Sequence, residues 1–148
     1  MKFLIINGPN LNLLGLREPA IYGSKNFEAL QNFIKDACAR EGVDCELFQS
    51  NHEGTIVDKI QEAYGIFDGI IINPAAYTHT SVAILDALKA VAIPTVEVHL
   101  SDINSREEFR KHSFVSMYAL KTICGLGCDG YAEAVKHLKK HLKNLTVS

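Results

Sequence analysis

Short apolar runs rich in Ile, Leu and Val alternate with amphipathic segments along the whole chain, and this alternation restricts the fold more than any other feature. Strands that alternate with helices of about 10 to 15 residues are typical of βαβ units, in which the strands are parallel. The third apolar run, "DGIIINP", suits a strand that is buried on both faces of a sheet. The pattern predicts five strands, at residues 2–7, 43–49, 68–74, 95–101 and 120–125.

About five helices are predicted between and after these strands. Asn26 is placed to cap the first helix, which is expected to end near Arg40 because Gly42 follows. The spacing of Ile56, Ile60 and Ala63 predicts the second helix, and the capping group "THTS" predicts a third that runs to about residue 90. A short polar helix is predicted at 104–111, "NSREEFRK", and a final amphipathic helix at about 131–142.

A parallel sheet of this size, with right-handed crossovers and helices on both faces, is a doubly wound α/β fold of the flavodoxin-like type. The predicted strand order is 2-1-3-4-5. No repeat, low-complexity tract or internal linker is present, so residues 1–148 are predicted to form one domain. Ligands of such folds bind beyond the carboxyl ends of the strands, near the point where the strand order reverses. Functional residues are therefore expected at that edge.

Composition argues against two classes of partner. Fifteen Lys+Arg and seventeen Asp+Glu give a formal net charge of −2, and no basic stripe interleaved with aromatic residues is present. No nucleic-acid or membrane-surface partner is therefore expected. No apolar run approaches the roughly 20 residues of a membrane span, and the opening "MKFLIING" lacks a signal-peptide pattern, so a cytoplasmic location is expected. The four cysteines, Cys38, Cys45, Cys124 and Cys128, are expected to be reduced and mostly buried.

One connection is much longer than the fold requires. The stretch "NGPNLNLLGLREPAIYG", residues 7–23, follows the first strand and has neither a strand period nor a helix period. Connections between a strand and the next helix usually take about 2 to 6 residues, and much longer ones are often functional lids. This loop is therefore predicted to contribute to a functional site.

Polar and charged residues follow the predicted strands at the edge where ligands are expected. Because the carboxyl ends of parallel strands meet at one edge, these residues should converge. Of the four arginines in the chain only Arg40 lies outside this set, and the clustering of the rest predicts a bidentate anion site. The set comprises Asn10, Asn12, Arg17 and Tyr22 after the first strand, Asn73 and His79 after the third, Glu97, His99 and Ser101 in the fourth, and Arg106 and Arg110 beyond it.

Two pairs within this set suit acid/base chemistry. Glu97 and His99 are two apart in a strand, so both side chains point to the same side and the carboxylate can orient the imidazole or stabilise its charged form. A purely structural histidine is the alternative. Arg17 and Tyr22 are close in sequence, and a cation beside a phenol lowers its pKa from about 10, which suits a base near neutral pH. A tyrosine that only packs its ring under the loop is the alternative.

Three further patterns do not support a function. "GLGCDG", residues 125–130, has the spacing of a dinucleotide-binding motif. However, it follows the last strand, and no acidic residue that could bind a ribose lies about 20 residues further on. No cofactor is therefore expected, and close packing of the turn and the helix explains the glycines. Cys124 and Cys128 lack a second ligand pair, and His137 and His141 lie among lysines, so no metal is expected. Ser101 lacks the G-x-S-x-G elbow of a serine hydrolase.

Four blocks of the chain together resemble the type II 3-dehydroquinate dehydratase family. They are "NGPNLNLLGLREPAIYG", "QSNHEG", "NPAAYTHTSVAILDAL" and "EVHLSDINSREEFRKHS", and the match spans nearly the whole chain. The resemblance implies a flavodoxin-like fold and the dehydration of 3-dehydroquinate, a small anion, to 3-dehydroshikimate without metal or cofactor. This step serves both the shikimate pathway to aromatic amino acids and quinate breakdown.

The resemblance also implies a role for each site residue. Tyr22 would remove the proton next to the ketone, with Arg17 lowering its pKa, and the 7–23 loop would be a mobile lid. Asn10 would stabilise the enolate through a water, and His99, oriented by Glu97, would protonate the departing hydroxyl in stepwise general acid/base catalysis. Asn73 and the backbone of Leu100 and Ser101 would bind the carboxylate of the substrate. The hydroxyl groups and the lid would be contacted by His79, Arg106 and Arg110. Asp86 would reach the site of a neighbouring subunit.

The resemblance further implies a homo-oligomer, in which trimers build a dodecamer. Ala75 departs from the family pattern, since members often have glycine there. A non-catalytic module with the same architecture is the competing hypothesis. A flavodoxin would need a phosphate loop rich in glycine and hydroxyl side chains after the first strand, and a phospho-receiver would need acidic residues where Asn7 and Asn73 stand.

Overall fold

A five-stranded parallel sheet forms the centre of this computed structural model, which describes residues 1–16 and 25–147. The strand order, β2-β1-β3-β4-β5, is the order predicted from the sequence. The reversal between β1 and β3 places the switch point where the ends of these two strands lie side by side. The strands are β1 (Lys2–Asn7), β2 (Asp44–Gln49), β3 (Gly69–Asn73), β4 (Thr95–His99) and β5 (Lys121–Cys124).

Within the described residues, four α-helices connect and follow these strands: α1 (Phe27–Arg40), α2 (Glu53–Glu62), α3 (Val82–Val91) and α4 (Asp129–Val147). The predicted cap of α1 is confirmed, because the Asn26 side chain accepts a hydrogen bond of 2.9 Å from the Ala29 N–H. In α3 the capping residue is Ser81, whose hydroxyl accepts from the Ile84 N–H at 3.0 Å. Both helices therefore begin where a side chain satisfies a free backbone donor.

The helices cover both faces of the sheet. Helices α1 and α4 pack on the face that carries Phe3, Ile5 and Ile71, and α2 and α3 pack on the face that carries Leu4 and Ile72. Side chains alternate between faces along a strand, so each of these apolar runs serves both clusters. All five residues of β3 are buried, which confirms the strand predicted to be covered on both sides.

The helix predicted at 104–111 is wrong. The segment instead forms two 3-10 turns, Ile103–Ser105 and Glu108–Arg110, separated by Arg106 in an extended conformation (φ −99°, ψ −168°). The Asp102 side chain accepts from the Asn104 N–H at 3.0 Å and stabilises the first turn locally. The segment lacks an apolar stripe that could hold a helix on the core, since its large apolar side chain, Phe109, is 65% exposed.

The glycines of "GLGCDG" brace the end of β4. Gly125 and Gly127 have φ values of +80° and +58°, which suit glycine. The Gly125 N–H donates to the Ser101 carbonyl at 3.1 Å, and the Gly127 N–H donates to the Leu100 carbonyl at 3.0 Å. The motif therefore holds the backbone that follows the strand through backbone conformation and hydrogen bonds; close packing does not explain Gly127, since a Cβ there would meet nothing within 4 Å.

The prediction of mostly buried cysteines is wrong in detail. Cys38 is buried in the core, whereas Cys45, Cys124 and Cys128 are half-buried, and all four are free thiols. Burial raises the pKa of the Cys38 thiol to about 12, so this thiol stays protonated at neutral pH.

Among the described residues, no helix has the length and apolar character to cross a membrane.

Candidate active site

A pocket lies beyond the carboxyl ends of β1, β3 and β4, at the edge predicted from the topology. Its walls come from the loop after β1, the 3-10 turn Ala75–His79 after β3, and the segment after β4. Eight of the predicted site residues line it: Asn10, Asn73, His79, His99, Leu100, Ser101, Arg106 and Arg110. The remaining lining residues are Pro9, Leu11, Leu14, Ala75, Ala76 and Ile103.

The loop after β1 is anchored to the ends of two other strands. The Gly8 N–H donates to the Asn73 carbonyl at 2.8 Å, and a Cβ on Gly8 would lie 2.4 Å from the Pro74 carbonyl oxygen, so only glycine fits. Asn10 adopts the left-handed conformation (φ 70°), and its N–H donates to Asn51 Oδ1 at 3.0 Å. Residues of the "QSNHEG" block thus fix the backbone that presents Asn10.

The side chain of Asn73 is held by hydrogen bonds on two sides. Its Oδ1 accepts from the Ala75 N–H at 3.1 Å, and its Nδ2 donates to the Tyr131 phenol at 3.1 Å. Ala75 has a φ of +53°, a conformation that favours glycine and fits the departure from the family pattern noted above. The amide of Asn73 is therefore fixed in one orientation at the pocket wall.

Glu97 and His99 form a buried pair at the end of β4. The carboxylate of Glu97 accepts a hydrogen bond from His99 Nε2, and Glu97 is fully buried while His99 is 5% exposed. The Ser113 hydroxyl lies 2.8 Å from each carboxylate oxygen and donates to this carboxylate. Since a carboxylate only accepts, Nε2 of His99 carries a hydrogen, and any proton exchanged with a ligand belongs to Nδ1.

His79 presents an acceptor to the pocket. Its Nδ1 lies 2.8 Å from the His112 carbonyl oxygen, which only accepts, so Nδ1 carries the hydrogen and Nε2 of the neutral ring is an acceptor. Burial, and to a lesser degree the nearby His99 and Arg110, lower the pKa of His79 below its usual value. The ring is therefore neutral at neutral pH and suited to accept a hydrogen bond from a hydroxyl group.

Two arginines contribute positively charged side chains to the pocket lining. Arg110 Nε donates to Glu107 Oε2 at 2.7 Å, which orients the guanidinium. Arg106 also lines the pocket. None of the described residues that line it is acidic, so the site favours a negatively charged ligand.

Three of the predicted residues that the structure describes do not line the pocket: Asn12, Glu97 and Asp86. Glu97 lies behind His99 as its buried partner. Asp86 is exposed on α3, away from the pocket lining. Arg17 and Tyr22 lie outside the described residues. Among the residues that the structure describes, no group of three or more His, Cys, Asp or Glu side chains is placed to hold a metal ion.

Three residues that support the site were missed from the sequence. Tyr131 accepts a hydrogen bond from Asn73 and donates one to Asn7, and Ser113 donates to Glu97. Ser113 lies in the block "EFRKHS" that carried the resemblance, but nothing in its spacing indicates a contact with Glu97. Tyr131 and Asn7 are 124 positions apart, so only the fold brings them together.

The fold and the pocket define the class of the protein: a doubly wound α/β domain with a pocket that contains two arginines and a histidine–carboxylate pair at its switch point. The dehydroquinase class II family model matches residues 1–139. A 3-dehydroquinate dehydratase of Geotalea daltonii is 50% identical over 97% of this chain and 99% of its own. A catabolic 3-dehydroquinase of Verticillium alfalfae is 54% identical over 96% of this chain and 95% of its own.

Solved structures agree with these relatives. The crystal structure of the type II dehydroquinase from Butyrivibrio crossotus superposes with a TM-score of 0.92 at 52% identity, and the match covers 94% of this chain and 97% of that one. The chain belongs to the class II dehydroquinase family, as the resemblance of its sequence blocks indicated.

Proposed function

We propose that this protein is a hydro-lyase that removes water from 3-dehydroquinate to give 3-dehydroshikimate. Membership of the family supports this activity, because relatives matched over nearly their full length are named for it. The observation that carries the proposal is the buried Glu97–His99 pair, which opens onto a pocket with two arginines. An acid/base group beside an anion site is what the dehydration of a small carboxylic acid requires.

The proposed reaction proceeds in two steps through an enolate. A base takes the proton from the carbon next to the ketone, and the electron pair moves onto the ketone oxygen. The enolate then collapses and expels the hydroxyl group from the neighbouring carbon, which leaves as water with a proton from His99 Nδ1. Glu97 stabilises the charged imidazole before that transfer, since its carboxylate contacts Nε2.

The other roles follow from the resemblance and from the placement of the residues. Asn10 stabilises the enolate oxygen through a water, Asn73 and the backbone of Leu100 and Ser101 bind the carboxylate, and His79 accepts from a substrate hydroxyl. Arg106 and Arg110 hold the anion electrostatically. Tyr22 is the proposed base and Arg17 the cation that lowers its pKa, both outside the described residues. No metal or cofactor takes part.

The same proposal covers assembly and location. Asp86 is exposed on α3, where it is accessible to a second copy of the chain, and its proposed role is to reach the site of a neighbouring subunit. The proposed assembly is a dodecamer of trimers, and the proposed location is the cytoplasm. Sedimentation velocity of the purified protein tests the assembly directly, because a monomer would leave Asp86 without that role.

An ultraviolet assay with 3-dehydroquinate tests the proposed activity. The product contains a conjugated enone, so absorbance should rise continuously after the protein is added, and the rise should persist after chelation of divalent metals. The His99→Ala variant should lose the signal, whereas His52→Ala, which changes an exposed histidine outside the pocket, should keep it. No rise with the wild-type protein would reject the activity.

A further inference from the structure

We propose that Tyr131 is a positioning residue that makes Asn73 present an N–H, and not its carbonyl, to the carboxylate of the substrate. Tyr131 lies on α4 and is fully buried, so it does not touch the pocket itself. It contacts Asn7 at the end of β1 and Asn73 at the end of β3, which are register partners in the sheet. The phenol therefore bridges the two strands at the switch point.

The orientation of the Asn73 amide follows from a donor that cannot change its role. The backbone N–H of Ala75 can only donate, and it lies 3.1 Å from Asn73 Oδ1. The amide oxygen is thus fixed on that side, and Nδ2 must face Tyr131, from which it is 3.1 Å distant. The left-handed conformation of Ala75 belongs to the turn that brings this N–H back to the side chain.

The hydrogen of the phenol enforces the same orientation from the other side. Toward Nδ2 the phenol oxygen must accept, so its own hydrogen is directed to Asn7 Oδ1, at 2.5 Å. Burial raises the pKa of Tyr131 above its usual value, which keeps this hydrogen in place at neutral pH. Because the phenol donates its hydrogen to Asn7, it cannot also donate to Asn73. If the Asn73 amide were reversed, its carbonyl would face the phenol oxygen without a hydrogen bond.

The count of donors on Asn73 leaves one for a ligand. An asparagine amide has two N–H donors, and one of them is used by Tyr131. The carbonyl is used by Ala75. Since Asn73 lines the pocket, the second N–H is the group that a ligand meets, and a carboxylate is a strong acceptor for it. Tyr131 therefore contributes to the preference for an anion without contacting it.

The test compares two tyrosine-to-phenylalanine variants. Tyr131→Phe removes the acceptor for Nδ2, whereas the control Tyr118→Phe removes a phenol that donates to the Ile93 carbonyl at 2.9 Å on the other face of the sheet. Tyr131→Phe should raise KM for 3-dehydroquinate by about tenfold or more, the scale of one charge-assisted hydrogen bond, and change kcat by less than about threefold. Tyr118→Phe should leave both constants near wild type.

A second measurement needs no substrate. Nuclear magnetic resonance of ¹⁵N-labelled protein can follow hydrogen exchange of the Asn73 side-chain amide, assigned by the loss of its signals in Asn73→Asp. Exchange should be at least about tenfold faster in Tyr131→Phe, and unchanged in Tyr118→Phe. Asn7→Leu, which keeps the ring but removes the acceptor of the phenol hydrogen, should accelerate exchange in the same direction and serves if Tyr131→Phe does not fold.

The two measurements separate this inference from the proposed function on which its KM test rests. Failure of the wild-type protein to act on 3-dehydroquinate would reject the function, whereas accelerated exchange in Tyr131→Phe would still support the positioning role. Unchanged exchange of the Asn73 amide in the folded variants overturns the inference. A KM in Tyr131→Phe that matches the KM of Tyr118→Phe also overturns it.

Discussion

The carboxylate of Glu97 is fully buried, and it accepts a hydrogen bond from His99, two residues further along β4. A buried carboxylate costs free energy unless it is paired and hydrogen-bonded, and here His99 and Ser113 supply the partners. The two-residue spacing places both side chains on the face of the sheet opposite Tyr131. The acid/base pair and the Tyr131–Asn73 contact are thus on separate faces of the sheet and can be changed independently.

Replacement of His99 by alanine should lower kcat by roughly 10²- to 10⁴-fold, the usual effect of a positioned proton donor. The rate is measured by the enone absorbance at saturating 3-dehydroquinate. The fold should persist, because Ser113 still donates to Glu97, and circular dichroism should show the wild-type spectrum at 25 °C. A rate close to that of the His52→Ala control would remove His99 from the acid role.

Replacement of Ser113 by alanine should lower kcat, measured by the enone absorbance. Loss of the hydroxyl removes one of the hydrogen-bond partners of the buried Glu97 carboxylate, so this carboxylate is held less firmly and orients the imidazole of His99 less well. Ser116→Ala is the matched control, since Ser116 bonds to Ser113 but does not contact Glu97. Equal kcat values for the two variants would argue against a role of Ser113 in holding the Glu97–His99 pair.

Replacement of Ala75 by glycine should stabilise the protein. The left-handed conformation of an L-residue costs about 1 to 2 kcal/mol, and glycine removes this cost. Glycine also loses more conformational entropy on folding, which offsets about 0.5 to 1 kcal/mol, so the free energy of unfolding should rise by about 0.5 to 1 kcal/mol. In a domain of this size Tm should rise by roughly 1 to 4 °C in calorimetry.

Two further alanines serve as controls for this substitution. Ala92, with a φ of +55° at the end of α3, should respond to glycine in the same direction. Ala76 lies in the same turn as Ala75, but it is not one of the described residues with a positive φ. Ala76→Gly relieves no strain and adds conformational entropy to the unfolded chain, so it should lower Tm. A decrease in Tm for Ala75→Gly as large as that for Ala76→Gly would contradict the strain at residue 75.

The parts of the fold that depend on local pattern could be predicted from the sequence. The buried strand β3 was apparent from consecutive apolar residues, and the start of α1 from a capping residue, Asn26. The conformation of residues 104–111 could not be predicted, because their charge pattern is typical of a solvent-exposed helix. The hydrogen bond by which Asp102 caps the first turn is visible only in three dimensions. Convergence at the strand ends follows from the parallel topology alone.

Contacts between distant residues set the limit of prediction at the site. Glu97 and His99 could be paired from their spacing, because strand geometry fixes which side they face. The contact of Tyr131 with Asn73 depends on how α4 packs on the sheet, and the contact of Ser113 with Glu97 depends on the irregular segment after β4. Neither has a periodic signal in the sequence.

Replacement of Tyr22 by phenylalanine tests the proposed base. The substitution keeps the ring and deletes the ionisable oxygen, so kcat should fall by at least roughly 100-fold if the phenolate takes the substrate proton. The melting temperature should stay close to wild type. Tyr64→Phe is the control, because Tyr64 is 71% exposed and outside the pocket lining. An active Tyr22→Phe enzyme would refute the base assignment and favour a tyrosine that only packs.

Replacement of Arg17 by alanine should move the acidic limb of the kcat–pH profile upward. The proposed base must be ionised to act, and kcat therefore rises with pH as the phenol loses its proton. Removal of a nearby positive charge raises the pKa of that phenol, so a higher pH is needed for the same fraction of phenolate. Arg40→Ala, which removes an exposed arginine on α1, should leave the limb in place. If Arg17→Ala raises KM while the profile keeps its position, Arg17 binds the substrate and does not tune Tyr22.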